Sequence, residues 1–240
     1  MGEERRYRRW VHAGDLRVFR VVAAETDLQI TAELDLTDDA LAAARSARAD
    51  IVGVIEGSPE FAAAESPLEV GEDAPGIVRR MTEAARAAGV GPMAAVAGAV
   101  AEHVGRALLK RSAEVLVENG GDIFMASARE RTVALYAGSS PLSGRVAVKI
   151  APGKTPCGVC TSSGTVGHSK SYGCADAAVV IAPDTALADA VATATGNRVK
   201  SASDLEAAVE WAAGIEGVTG CLVVLGDKLA AAGDVELSRL

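Results

Sequence analysis

The sequence predicts an α+β fold: an antiparallel sheet with packed helices, arranged as two intimately associated lobes. Three observations predict it. Short Val- and Ile-rich runs follow one another across Gly-containing turns, as antiparallel strands do. Ala-rich stretches with capping signals fall between groups of strands instead of alternating with them one for one, which argues against a doubly wound sheet. Aromatic residues are only 3% of a chain that is 49% hydrophobic, so the core must be small aliphatic side chains in close helix-on-sheet contact. The expectation is a single domain over residues 1–240, with an N-terminal hairpin and helices in 1–90, a motif-bearing core in 91–200 and a C-terminal helix and strands in 201–240. No repeat of fixed period interrupts it.

The elements follow in order. Leu16 to Ala23 and Leu28 to Glu33 read as strands joined at Glu25-Thr26-Asp27. Thr37 or Asp38 is suited to cap an Ala-rich helix that reaches about Val54 and ends before Gly57-Ser58-Pro59. Pro75 in the first turn and Gly89 at the C-cap bracket a second helix. After the Gly91-Pro92 break, Met93 to Leu109 reads as a helix buried on most sides. Ala113 to Glu118, Asp122 to Ala126, Thr132 to Tyr136 and Arg145 to Ile150 read as consecutive antiparallel strands. A Gly-, Ser- and Cys-rich loop is expected from Ala151 to Gly173, then a strand from Ala177 to Ala182 and a helix from Asp184 to Thr195. Another helix starts at Ser203-Asp204-Leu205-Glu206, Thr219 to Leu225 is a core strand, and the tail from Asp227 pairs as a hairpin.

Charge excludes one class of partner. The net charge of −8 argues against nucleic acid, which needs a basic face. Arg5, Arg6, Arg8 and Arg9 are expected on a solvated arm or edge strand, where charge discourages sheet-to-sheet aggregation. Without an apolar leader or a bilayer-length apolar run, no membrane partner is expected and the localisation read is cytoplasmic, with the four cysteines reduced. Exposed edge strands and an Ala-rich surface are compatible with a homodimer.

Three segments carry candidate chemistry. Asn119-Gly120-Gly121-Asp122 is an ordinary tight-turn sequence, because glycine reaches positive φ cheaply. The functional alternative is bare backbone that lets a ligand approach, with Asn119 and Asp122 as polar contacts. Thr161-Ser162-Ser163-Gly164 opens a hydroxyl-rich loop able to wrap phosphate oxygens, and His168 further along could move a proton near neutral pH. Asp189 and Thr193 lie four apart on one face of an Ala-rich helix. A carboxylate and a hydroxyl buried there need a partner: either hard-ion coordination, as Mg²⁺ prefers, or an Arg and the helix's own backbone. Gly153-Lys154-Thr155 is not a P-loop, since Val148 occupies the first glycine position. Cys157 and Cys160 lack the further ligands that tetrahedral zinc requires, and a thiol redox role would need a lowered pKa.

Taken together and in this order, these segments resemble the ApbE-like superfamily, whose flavin transferases move FMN from FAD onto a protein threonine with Mg²⁺. The similarity covers roughly residues 90 to 195. Asn119-Gly120-Gly121-Asp122 resembles the N-x-G-G-[DE] turn, Thr161 to Gly164 the T-S-G segment, and Ile181 to Thr193 the A-x-A-D-A-x-[AS]-T-A helix. The resemblance implies Mg²⁺ ligation by Asp189, Thr193 and a backbone carbonyl near Val96. It also implies that Gly98 and Glu102 line a flavin pocket. Ala97 stands where the transferases carry lysine, and His168 is the residue that corresponds within their H-x-x-D-P-x-T-G loop, with Lys170 as a substitute charge. The chain thus looks like a sister family and not a transferase proper. Two functions follow from the resemblance. One is Mg²⁺-dependent FMN transfer or FAD pyrophosphate cleavage, with His168 or Asp176 as acid or base and an acceptor protein as partner. The other is a non-catalytic protein that binds FAD, FMN or another nucleotide.

Overall fold

The structure, a computed structural model, describes Gly14, residues 16–164 and residues 172–240. Its frame is an eight-stranded antiparallel sheet in the order β1-β2-β3-β4-β7-β8-β9-β10. These strands are β1 (Arg17–Ala23), β2 (Thr26–Ala32), β3 (Val115–Asn119), β4 (Asp122–Ala126), β7 (Cys157–Ser162), β8 (Ala177–Ala182), β9 (Gly220–Leu225) and β10 (Lys228–Gly233). The remaining strands, β5 (Arg131–Ala134), β6 (Val146–Ile150) and β11 (Glu236–Arg239), form a second sheet in the order β11-β6-β5. The α+β class is therefore met by a mixture of helix and antiparallel sheet.

Strand alternation sends side chains to two cores. Leu28, Ile30, Val115, Val117, Phe124, Val180 and Val223 face the helices. Met125, Val159, Val179, Ile181 and Leu222 face the other way and meet Val148 and Ile150 of the small sheet. On the helix side, α4 (Val96–Leu108) lies over β3 and β4, and α5 (Thr185–Arg198) over β7 and β8. Outside them, α3 (Gly76–Ala88) packs on α5, and α1 (Thr37–Gly57) packs on α4 and β1. The helix α6 (Leu205–Ala213) covers β9 and β10, and the single turn α2 (Glu60–Ala63) seats Phe61 in the core.

Several boundaries match their chemistry. Gly89 closes α3 in the left-handed conformation, at φ 71. Asp184 caps α5 by accepting from the Leu187 amide at 2.9 Å. Elsewhere the sequence reading is corrected. The first hairpin turns at Ala24-Glu25, because Ala23 pairs with Thr26, so Thr26 and Asp27 belong to β2. Thr37 does not cap α1; Asp35 Oδ1 accepts from both its amide (3.1 Å) and its hydroxyl (2.6 Å). A 3-10 turn over Pro92–Ala95 precedes α4, so the helix expected from Met93 starts three residues later. The expected run of consecutive strands is split, with β5 and β6 leaving for the small sheet while β4 pairs with β7. That β7 strand occupies part of the expected loop 151–173. Only β10 forms the tail hairpin with β9; β11 pairs with β6 instead.

Among the described residues, no single helix is long and apolar enough to cross a membrane. The arginines at 5, 6, 8 and 9, His168 and Lys170 lie outside the described residues.

Candidate functional site

The site begins as one cross-strand row on the helix face of the sheet. Asn119 of β3 pairs with Asp122 of β4, and the Ile123 to Val159 pairing puts Cys160 of β7 beside Asp122. The β3–β4 turn needs its two glycines: Gly120 and Gly121 have φ of 70 and 108, where a Cβ is strained. Glu118 Oε1 closes it by accepting from the Gly121 amide at 2.8 Å. Asn119 Nδ2 donates to the Ala97 carbonyl at 3.0 Å, which ties the turn to the start of α4.

Over that row α4 and α5 run past each other in opposite senses, each capping the other. The Gly98 amide in the first turn of α4 donates to Asp189 Oδ2 at 2.8 Å. The Thr185 amide at the start of α5 donates to Glu102 Oε2 at 2.8 Å. Amides left without partners at a helix N-terminus favour an acceptor with negative charge, and here the neighbouring helix supplies it. The approach is close because residue 98 has no side chain: a Cβ there would lie 2.3 Å from the Thr185 carbonyl oxygen. Gly158 on β7 allows the same on the sheet side, where a Cβ would lie 2.6 Å from Thr185 Cα.

The electrostatics at the crossing are unusual. Burial pushes Asp189 up to about 7, against the opposing pull of the Gly98 and Ala97 amides. Burial also pushes Asp122 well above the carboxylate range, and the Asp189 charge and then Glu118 push it further, while Cys160 and the Thr161 amide pull the other way. Thr185 Oγ1, wholly buried at the same crossing, has no hydrogen-bond partner.

The remaining predicted residues divide. Thr193 is half-buried one turn beyond Asp189, and Val96 is half-buried at the first position of α4. Gly98 and Glu102 are packed between helices. Glu102 is 1% exposed and also accepts from Arg80 (2.5 Å) and Arg106 (2.6 Å), so its carboxylate is fully occupied. Thr161 and Ser162 are on β7 and point to opposite faces, Ser162 toward Gly196 of α5. Ser163 follows, and the Gly164 amide donates to the Ala175 carbonyl at 2.9 Å. Asp176 Oδ2 accepts from the Gly226 amide at 2.7 Å and so supports the β9–β10 turn. Cys157 and Cys160, three apart on a strand, belong to opposite cores and cannot converge on a metal or a dithiol. Burial raises the Cys157 thiol to about 11 and raises Cys160 as well, the reverse of an activated thiolate.

Sequence reasoning missed Thr185 and the partner of Glu102. The signal was available, because Thr185 and Asp189 are four apart on one helix face just as Gly98 and Glu102 are.

The sheet order, the helix pair and the glycine turn define a class, the fold of the flavin transferases. A variant of the flavin transferase ApbE from Vibrio cholerae superposes with a TM-score of 0.59 at 11% identity, covering 91% of this chain and 98% of that one. The ApbE protein from Thermotoga maritima gives 0.53 at 13% identity, covering 90% and 96%. A family model described as AbpE bacteria matches residues 8–220. A UPF0280 protein from Methanocella arvoryzae is 44% identical over 187 residues, covering 78% of this chain and 76% of the relative. One from Methanospirillum hungatei is 46% identical over 175 residues, covering 72% and 71%. The chain belongs to the UPF0280 family, matched by the AbpE bacteria model, and its fold is that of the ApbE flavin transferases.

Proposed function

We propose that this protein binds a flavin nucleotide through a divalent cation, Mg²⁺ by preference, held at Asp189, and that it acts on the FAD pyrophosphate. The observation that carries the reading is the buried carboxylate pair, Asp122 and Asp189, both raised by burial, with the Asp189 charge raising Asp122 further. Buried carboxylates are ordinarily paired with cations or coordinate metals. The donor set fits a hard ion: Asp189 with its second oxygen, the Thr193 hydroxyl one turn on, a backbone carbonyl near Val96, and Asp122 opposite. When bound, such an ion withdraws charge from phosphate oxygens and stabilises phosphoryl or nucleotidyl transfer.

The chain's own residues then have definite tasks. The Ala97 and Gly98 amides hold Asp189 in one orientation. Gly120 and Gly121 leave the turn bare for close approach by a ring or a phosphate, beside Asn119 and Asp122. Ser162, Ser163 and Gly164, with the Thr161 backbone, offer hydroxyls and amides to the phosphates. His168 moves the proton, either to a leaving phosphate or from an acceptor threonine on a partner protein. Asp176 is the weaker candidate for that task because it already holds the Gly226 amide.

A second reading, flavin or nucleotide binding without turnover, is favoured by Ala97, which leaves no side-chain cation where the transferases carry lysine. The experiment that tests both uses protein stripped with chelator and given FAD with MgCl₂. FMN and AMP are followed by chromatography, and binding is followed by flavin fluorescence. Mg²⁺-dependent AMP release lost in Asp189→Ala supports the enzyme, and saturable binding without AMP supports the second reading. Neither binding nor release by correctly folded protein rejects both.

A further inference from the structure

We infer that Glu102 is a positioning residue for Asp189, acting through the reciprocal capping of α4 and α5. Its geometry differs from that of a pocket-lining acid. One oxygen receives Arg80 and Arg106, on α3 and α4, and the other receives the Thr185 amide that starts α5. Arg80 also lies 3.9 Å from Asp184, the cap of the same helix. The N-terminus of α5 is thus fixed to two other helices through one buried carboxylate.

Two bonds make the ladder. Thr185 and Asp189 are one turn apart on α5, and Glu102 and Gly98 are one turn apart on α4. The Thr185–Glu102 bond is one rung and the Asp189–Gly98 bond the other, both 2.8 Å long. No side chain stands between them, since a Cβ on Gly98 would lie 2.8 Å from Asp189 Cβ. With both rungs made, α5 can neither slide along α4 nor turn about its own axis without breaking one, so the Asp189 carboxylate has a single height above Asp122. With the Glu102 rung removed, only the Gly98 and Ala97 amides at Asp189 still join this end of the helix pair, and the first turn of α5 loses its fixed height over α4. Glu102 touches no reacting group; its effect passes through the backbone of Thr185.

The test compares Glu102→Ala with Arg106→Ala in the full chain. Arg106→Ala removes one ion pair of Glu102 and leaves its other oxygen for the Thr185 amide, so that rung should survive. The first readout needs no ligand: hydrogen exchange at the Gly98 amide, which reports the Asp189 bond, set against exchange at Val117 in the central strand β3, which reports global opening. Glu102→Ala should cut Gly98 protection by about tenfold more than it cuts Val117 protection, the size expected for losing a hydrogen bond to a charged group. Arg106→Ala should leave the two amides in their wild-type ratio. Equal losses at both amides in Glu102→Ala, or the same selective loss in Arg106→Ala, would overturn the inference in favour of a general stabilising role.

The second readout is Mn²⁺ affinity by calorimetry, which rests on the proposed cation site. It should weaken by about tenfold in Glu102→Ala and hold in Arg106→Ala. Wild-type protein that binds no Mn²⁺ would remove the cation reading, while the exchange comparison still decides the role of Glu102.

Discussion

Replacing Gly98 with alanine is the sharpest single perturbation of this molecule, since two opposed effects act at the site and the structure assigns their sizes. Alanine is the better helix former by about 1 kcal/mol, so at an open helical position the exchange stabilises. At residue 98 the new Cβ would lie 2.3 Å from the Thr185 carbonyl oxygen, 2.8 Å from Asp189 Cβ and 3.0 Å from the Thr185 carbonyl carbon. Two of the three are backbone atoms of a buried helix and cannot rotate away, so α4 and α5 must separate by about 1 Å, at a cost of about 1–3 kcal/mol before the strained Gly98–Asp189 bond is counted. The net expectation is a loss of about 2 kcal/mol, the propensity gain having been overrun. Gly53 in α1 has nothing within 4 Å of its would-be Cβ and supplies the control: Gly53→Ala should gain about 0.5–1 kcal/mol. Urea unfolding of the two variants and the parent measures both, with midpoints moving in opposite directions at unchanged slope. If Gly98→Ala is stabilised as Gly53→Ala is, the helices do not approach as described and the ladder argument falls with it.

Other expectations concern charge and the orphan hydroxyl. In the absence of divalent cations, Asp189 and Asp122 have raised folded pKa values, so the folded state holds more protons than the unfolded one above about pH 4. Their contribution is complete below that pH and is lost as pH rises; for Asp189 the loss runs to about 7 and amounts to at most about 4 kcal/mol. Chemical unfolding from pH 4 to 8 should show this fall, Asp122→Asn should flatten it, and a pH-independent midpoint in both proteins would refute it. Thr185→Val removes a buried hydroxyl that has no partner and should stabilise by about 1 kcal/mol in a thermal melt; a loss of that size would mean the hydroxyl is bonded after all. Arg20→Ala breaks a two-bond pair with Asp27 on an exposed strand and should shift the unfolding midpoint by less than about 1 kcal/mol; a larger shift would mark the β1 edge as structurally critical.

What was legible in the sequence is what local chemistry decides. Pro75 and Gly89 bracket α3 because one fixes φ at a helix start and the other accepts the left-handed exit. The Asn119 to Asp122 turn was readable for the same reason. The strand β7 was not, since Cys157-Gly158-Val159-Cys160 lacks strand propensity. Its glycine is there because α5 backbone lies against it, a demand that arises only once the helix is docked. Nor could the exit of β5 and β6 be read, because strand pairing is non-local and their alternation suits either sheet. At the candidate site, Asp189 stood out in the sequence by its spacing to Thr193. The bond to Glu102 was not legible, since it comes from a residue 83 positions away.

Mutual capping also limits how this chain can vary in length. Inserting or deleting one residue between positions 98 and 102, or between 185 and 189, rotates everything beyond it by about 100° around the helix axis. One carboxylate would then face away from the amide it serves, and no adjustment of the connecting segments could restore both contacts at once. Length changes are therefore expected in the connections outside those two five-residue windows, and not within them.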